Sequence, residues 1–374
     1  MTTSGLDLLN LLNATHAFDP VALPGYRTFL YVPFERLLGG RHESRLARDI
    51  ANGQRIALIG PIGCGKSSMV EYVMGTGEGE FAPIWISAAH EGEHTLKDPP
   101  EFARHLIRQL VGWARDAGAM TSDERDAFLI ETSRTIPGGT TRYKQTVSFK
   151  LALKWIEPGW SEEVERTLAN PNVARNRGDF VASLGRLVEL IRGDLQRTPV
   201  VIIDDSDRWL RLDPSTRESL IDSFFTDTCR MLAELDWAVV MAVHPEYCSS
   251  SPFRSAAANG YFNVQLSVPP IDRPEALREL LDVRIRVLAS AAEEARQLEA
   301  GIEPGELPAS ADASVDDVFE PGFETVLLEY YAANDNNLRA VLTVAQQALQ
   351  ETIGLGEETV TTAAIREAGL ALAP

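Results

Sequence analysis

Cationic side chains are scarce in this sequence: 35 Lys and Arg stand against 54 Asp and Glu among 374 residues, a formal charge of −19. A field of that sign repels polyanions, so general nucleic-acid binding is excluded and any such contact needs a local basic patch. Cysteine is scarce too. Cys64, Cys229 and Cys248 are odd in number and widely spaced, with no CxxC. That excludes a disulfide framework and a cysteine zinc site, and it predicts a reducing, cytoplasmic setting. No stretch reaches the ~18 uninterrupted apolar residues of a membrane span. The opening MTTSGLDLLNLLNATHAF has no Lys or Arg ahead of its leucines and is broken by Asp7, Asn10 and Asn13, so it does not read as a signal peptide. Aromatic residues make up only 7% of the chain, but 44% of it is apolar, enough for a sizeable core and two or three compact units.

What is present alternates between short apolar runs and helical periodicity. Residues 1–20, rich in leucine, predict a short amphipathic arm that packs on its own domain or docks on a partner. Buried strands are predicted at 55–59, 83–87, 200–203, 237–243 and 263–268, with helices at 67–73, 101–114 and 179–197. Wholly apolar strands separated by helices predict a parallel five-stranded sheet covered on both faces. The spacing between the second and third strands is too long for one crossover helix, so an insertion is expected at about 115–180, with a strand or hairpin near 146–155. After Pro269 and Pro270 the pattern turns helical at 274–300, 315–332, 336–353 and 359–372. The expected division is an arm (1–20), an α/β domain (21–270) and a helical lid (271–374).

Two motifs carry chemistry. Gly60-Pro61-Ile62-Gly63-Cys64-Gly65-Lys66-Ser67 fits G-x-x-x-x-G-K-[ST] between a predicted strand and a predicted helix, with Ser68 following. Glycine allows backbone conformations that turn consecutive N–H groups inward as an anion nest, and the helix beginning near Lys66 adds its positive end. Lys66 places charge on β- and γ-phosphates, and the Ser67 hydroxyl is a ligand for Mg²⁺. The second motif is Val200-Val-Ile-Ile-Asp204-Asp205, an apolar strand ending in two acids. Asp204 is expected to hold the Mg²⁺ shell, and Asp205 to orient or deprotonate the attacking water. Acids after a strand also cap helices, and the phosphate loop upstream is what gives this pair its meaning. No NKxD and no LSGGQ string is present. The cofactors implied are ATP and Mg²⁺.

These motifs resemble those of AAA+ and related ASCE-type P-loop ATPases, particularly the origin-recognition-type initiators and transposition ATPases, with KAP-type NTPases close behind. GPIGCGKS (60–67), VVIIDDSDRW (200–209), AVH (242–244), FRS (253–255) and NDNNLRAVL (334–342) carry the likeness. The resemblance implies that His244 stands at the sensor 1 position, where a plain capping histidine is the alternative. It implies that Arg339 stands at sensor 2, on the γ-phosphate, and that Arg254 is a candidate arginine finger in a homo-oligomer. Arg134, Arg142, Lys144, Lys150 and Lys154, interleaved with Tyr143, Phe149 and Trp155, form a local basic stretch. It reads either as a DNA-contacting surface or as solvated lysines on a packed hairpin. Two functions follow from the resemblance. One is an oligomeric ATPase that remodels a protein partner or DNA. The other is a slow-turnover signalling switch that controls an effector, as in bacterial defence.

Overall fold

The computed structural model describes residues 5–19, 30–77, 79–88, 93–131, 177–299 and 313–372. The basic stretch and the hairpin expected at 146–155 lie outside these residues.

In chain order the elements are α1 (Gly5–Ala14), α2 (Phe34–Leu38), α3 (His42–Ala51), β1 (Arg55–Ile59), α4 (Lys66–Thr76), β2 (Phe81–Ser87), α5 (Glu93–Lys97), α6 (Pro99–Asp116), α7 (Ser122–Glu131) and α8 (Arg177–Gly193). There follow β3 (Thr198–Asp204), α9 (Pro214–Ser223), α10 (Cys229–Leu232), β4 (Ala238–Val243), α11 (Pro245–Cys248), α12 (Ser251–Ala258) and β5 (Val264–Ser267). The last four helices are α13 (Pro274–Glu299), α14 (Phe323–Ala333), α15 (Leu338–Leu355) and α16 (Thr362–Ala371). The strands form one five-stranded sheet in the order β2-β3-β4-β1-β5, with β2, β3 and β4 pairing in parallel. The fold class is therefore the expected α/β one, with a parallel sheet and a helical C-terminal part.

By packing, the chain divides into two compact units: residues 1–47, 59–76 and 267–374 in one, and residues 48–58 and 77–266 in the other. The second unit holds the sheet. β4 is buried along its whole length and β3 over its five central residues. This is why both read as continuous apolar runs rather than alternating ones. α6 packs on β2 and α8, and α8 packs on β3. Pro99 and Pro100 open α6 behind an Asp98 cap, and Pro214 opens α9 behind Asp213, whose carboxylate accepts the Thr216 N–H at 3.0 Å. A π-helical turn, Phe224–Thr228, joins α9 to α10. It turns Phe224 and Phe225 into an aromatic cluster with Trp209, Phe253 and Phe262.

In the first unit, α13, α14, α15 and α16 pack on one another, and α1 lies against α13 and α15. The arm is fastened at several points. Gln346 of α15 accepts the Phe18 N–H at 3.1 Å and donates to Asn13 Oδ1 at 3.0 Å. The Phe18 ring packs on Phe319. The buried Arg284 guanidinium of α13 donates to the carbonyls of Ala17 (3.0 Å) and Asp19 (3.1 Å). Burial pulls the Arg284 pKa down to about 10, opposed by the Asp19 charge. The group is still a cation at neutral pH, and its carbonyl partners offset the cost of holding it there.

Candidate active site

The phosphate loop leaves β1 at Ile59 and re-enters helix at Lys66, the strand–loop–helix context that its motif requires. Gly63 (φ 73°) and Gly65 (φ 99°) occupy the left-handed region. A side chain there is strained whatever space surrounds it, and the loop is shaped by that requirement. Lys66 is 7% exposed, and its ammonium donates to the carbonyls of Gly60 and Pro61, each at 2.8 Å. The cation is thus folded back over the loop's own backbone. Ser67 follows in the first turn of α4, half-buried.

Two segments of the same unit meet this loop. The Phe34 ring stands 3.6 Å from where a Cβ on Gly65 would be. Phe34 is placed by the buried Glu43, whose Oε1 accepts the Phe34 N–H at 2.7 Å and the Tyr31 hydroxyl at 2.6 Å. Burial and, next, the Glu43 charge push the Tyr31 hydroxyl far above its usual pKa, so it stays a donor. The Tyr31 ring packs on Tyr72 of α4, with centroids 4.9 Å apart. The second segment is the start of α15, where the Arg339 N–H donates to the Gly63 carbonyl at 3.3 Å. Arg339 itself is exposed. The structure therefore brings Arg339 to the same loop as Gly60, Pro61, Ile62, Cys64 and Lys66.

In the other unit, β3 ends at Asp204, in register with Ser87 at the end of β2. Asp205 then takes a left-handed conformation (φ 60°, ψ 19°), unusual for a residue with a Cβ. Its N–H donates to Asp204 Oδ1 at 2.8 Å, and its carboxylate accepts the Ser87 hydroxyl at 2.7 Å. The turn is fixed beyond it. Ser206 Oγ donates to the Ala242 carbonyl (2.5 Å), Tyr247 donates to the Ser206 carbonyl (2.9 Å), and Trp209 Nε1 donates to the Ala88 carbonyl (3.3 Å). A backbone pinned at both ends holds the strained residue and so aims its side chain.

His244 follows β4, the neighbour of β3. Its Nδ1 accepts the Glu246 N–H at 3.3 Å, so the ring caps α11. Arg254 lies exposed on α12. Sequence patterning singles out neither Ser87 nor Asn337, which stands against Gly63. Single polar residues at a strand end or a helix start carry no periodic signal. The clue for Asn337 was its capping position before an apolar helix.

No protein-family model matches the sequence, and no curated protein sequence matches it. Among solved structures, the chain is similar to the ORC1 protein of Aeropyrum pernix in complex with DNA, at 16% identity and a TM-score of 0.48, over 94% of this chain and 68% of that one. It is similar to the Aeropyrum pernix ORC2 protein in its ADPNP–ADP complexes, at 13% identity and a TM-score of 0.47, over 95% and 70% of the two chains. It is similar also to Cdc6p from Pyrobaculum aerophilum, at 12% identity and a TM-score of 0.44, over 94% and 69%.

Proposed function

We infer that this chain is a magnesium-dependent ATPase of AAA+-like architecture that converts nucleotide state into a change in a partner or in its own assembly. One observation carries the reading. A complete phosphate loop follows a buried strand, with glycine at the left-handed positions and the Lys66 ammonium drawn in over its backbone. A glycine-rich loop opening a helix beside a buried cation fits a polyphosphate, because the helix start and the charge both favour anionic oxygen. Ser67 and Asp204 are the groups that would hold Mg²⁺, which when bound neutralises phosphate charge. Asp205 takes the proton of the attacking water, and Arg339 adds cationic charge from the lid. No helix among the described residues is long and apolar enough to cross a membrane.

Mg-ATP should raise the melting temperature of the wild type and leave Lys66→Ala unmoved, because ligand stabilisation disappears with affinity. Equal stabilisation of both proteins would remove the nucleotide reading. Assembly is the finer part of the proposal. Arg254 would complete a neighbour's site in a homo-oligomer, so mixing Arg254→Ala with Lys66→Ala should recover activity that neither variant has alone. A wild type that turns over as a monomer defeats that arrangement. If DNA is the substrate of remodelling, K144E/K150E/K154E should weaken binding and flatten its salt dependence. Unchanged affinity assigns the remodelling to a protein partner.

A further inference from the structure

The first turn of α15 lies along the phosphate loop within one compact unit. A Cβ built on Gly63 would overlap the Asn337 side-chain oxygen and stand 3.1 Å from the Arg339 Cβ. One on Gly65 would lie 4.0 Å from Leu338 Cδ1. Three successive residues at a helix start therefore meet the loop's glycines. The Arg339 N–H bonds the Gly63 carbonyl (3.3 Å), and Asn337 Oδ1 caps α15 by accepting the Ala340 N–H (3.1 Å).

The turn that delivers Asn337 also ends α14. Among the described residues five that are not glycine have positive φ, and two of them, Asp335 (54°) and Asn336 (60°), are consecutive and directly precede Asn337. Tyr331 anchors this turn. Its carbonyl accepts the Asn336 N–H (3.0 Å), while its hydroxyl, buried, accepts the Ile271 N–H (3.1 Å). The bond from the Asn336 N–H to the Tyr331 carbonyl, with left-handed Asp335 just past the helix end, terminates α14 and sets where α15 starts.

The contact also has a chemical direction. The Gly63 carbonyl and the Cys64 N–H belong to one planar trans peptide, so they point opposite ways. Fixing that carbonyl on the Arg339 N–H fixes where the Cys64 N–H points, here back onto the Pro61 carbonyl at 3.5 Å, and so holds the turn of the loop. We propose that Asn337 is a positioning residue for nucleotide binding: with the Arg339 N–H it clamps the Gly63 peptide and preorganises the phosphate loop from the lid. The proposal rests on the nucleotide reading above. Preorganisation raises affinity by removing an ordering cost at binding. The contact leaves no room for a side chain at position 63, and a carboxylate in place of the carboxamide would stand against an anion site.

Binding of ADP, measured by calorimetry beside the melting temperature of each free protein, separates this role from simple capping. Asn337→Asp keeps a good cap, so its melting temperature should stay at the wild-type value. Its ADP affinity should fall about tenfold at low salt, and the deficit should shrink as salt rises. Gly63→Ala should bind ADP at least about tenfold more weakly, and adding Asn337→Gly, which removes the overlapping side chain and still caps, should restore part of that loss. Wild type that binds while Lys66→Ala does not, with Asn337→Asp equal to wild type and no recovery in the double variant, overturns the clamp and leaves the nucleotide reading intact. Wild type that fails to bind ADP overturns both.

Discussion

The phosphate loop and the turn after β3 solve the same local problem with opposite materials. Each needs a backbone in the left-handed region. The loop uses glycine at Gly63 and Gly65, and at Gly63 a side chain would also overlap Asn337. The turn uses Asp205, a left-handed residue with a side chain, whose carboxylate is held by the Ser87 hydroxyl. Glycine conformations are inexpensive, and the loop is held by neighbours that touch backbone. A left-handed aspartate costs about 1–3 kcal/mol and is held by the bonds of Ser206, Trp209 and Tyr247 on its far side.

The contrast can be broken from either side. Asp205→Asn preserves shape and tolerates the left-handed conformation, so ATP binding should persist while turnover falls ~10²–10⁴-fold. Near-normal turnover would move the base to Asp207. Gly65→Ala adds only a methyl, but at φ 99° it forces the loop to shift. ATP affinity should drop ~10–100-fold, as equilibrium binding would show, and unchanged affinity would mean that the loop's conformation is not what binds. Ser87→Ala removes one hydrogen bond to a carboxylate, so kcat should fall about tenfold with KM little changed. A fall in stability without one in kcat would make Ser87 a purely structural residue. Asp205→Gly has the smallest expected effect on stability and is the most discriminating change. It should abolish turnover and raise the unfolding free energy by up to about 1 kcal/mol in denaturant titration, because glycine relieves the strain. A destabilised variant would show that the turn is not strained.

Most elements were legible in the sequence because their signals are local. The strand at 55–59 is found at Arg55–Ile59, and the apolar runs at 200–203 and 237–243 lie inside or within one residue of β3 and β4. Pro99 and Pro214 mark helix starts that observed caps explain. The lid helix expected at 315–332 is shorter. A 3₁₀ turn at Val315–Asp317 precedes α14, which begins only at Phe323, after left-handed Gly322. Pro321 and Gly322 stand at that break. Partnership was not legible. Nothing around Ser87 announces Asp205, and nothing around Gly63 announces Asn337, since each pair is joined by tertiary packing across a long stretch of chain. His244 shows the limit of a position-based reading, because a ring that caps α11 through Nδ1 was one of two roles the sequence left open.

The unit that holds the phosphate loop is discontinuous: residues 1–47 and 59–76 meet residues 267–374. Its closing contacts join the earliest part of the chain to the latest, as Gly63 to Arg339 and Ala17 to Arg284. During synthesis residues 48–58 and 77–266 can compact while the rest waits, since domains fold as their residues emerge and long loops close late. The Arg339 N–H reaches the Gly63 carbonyl only once α15 has been made, so, on the nucleotide reading proposed above, a chain truncated before residue 337 should carry the whole phosphate-loop motif yet bind nucleotide more weakly than the full chain.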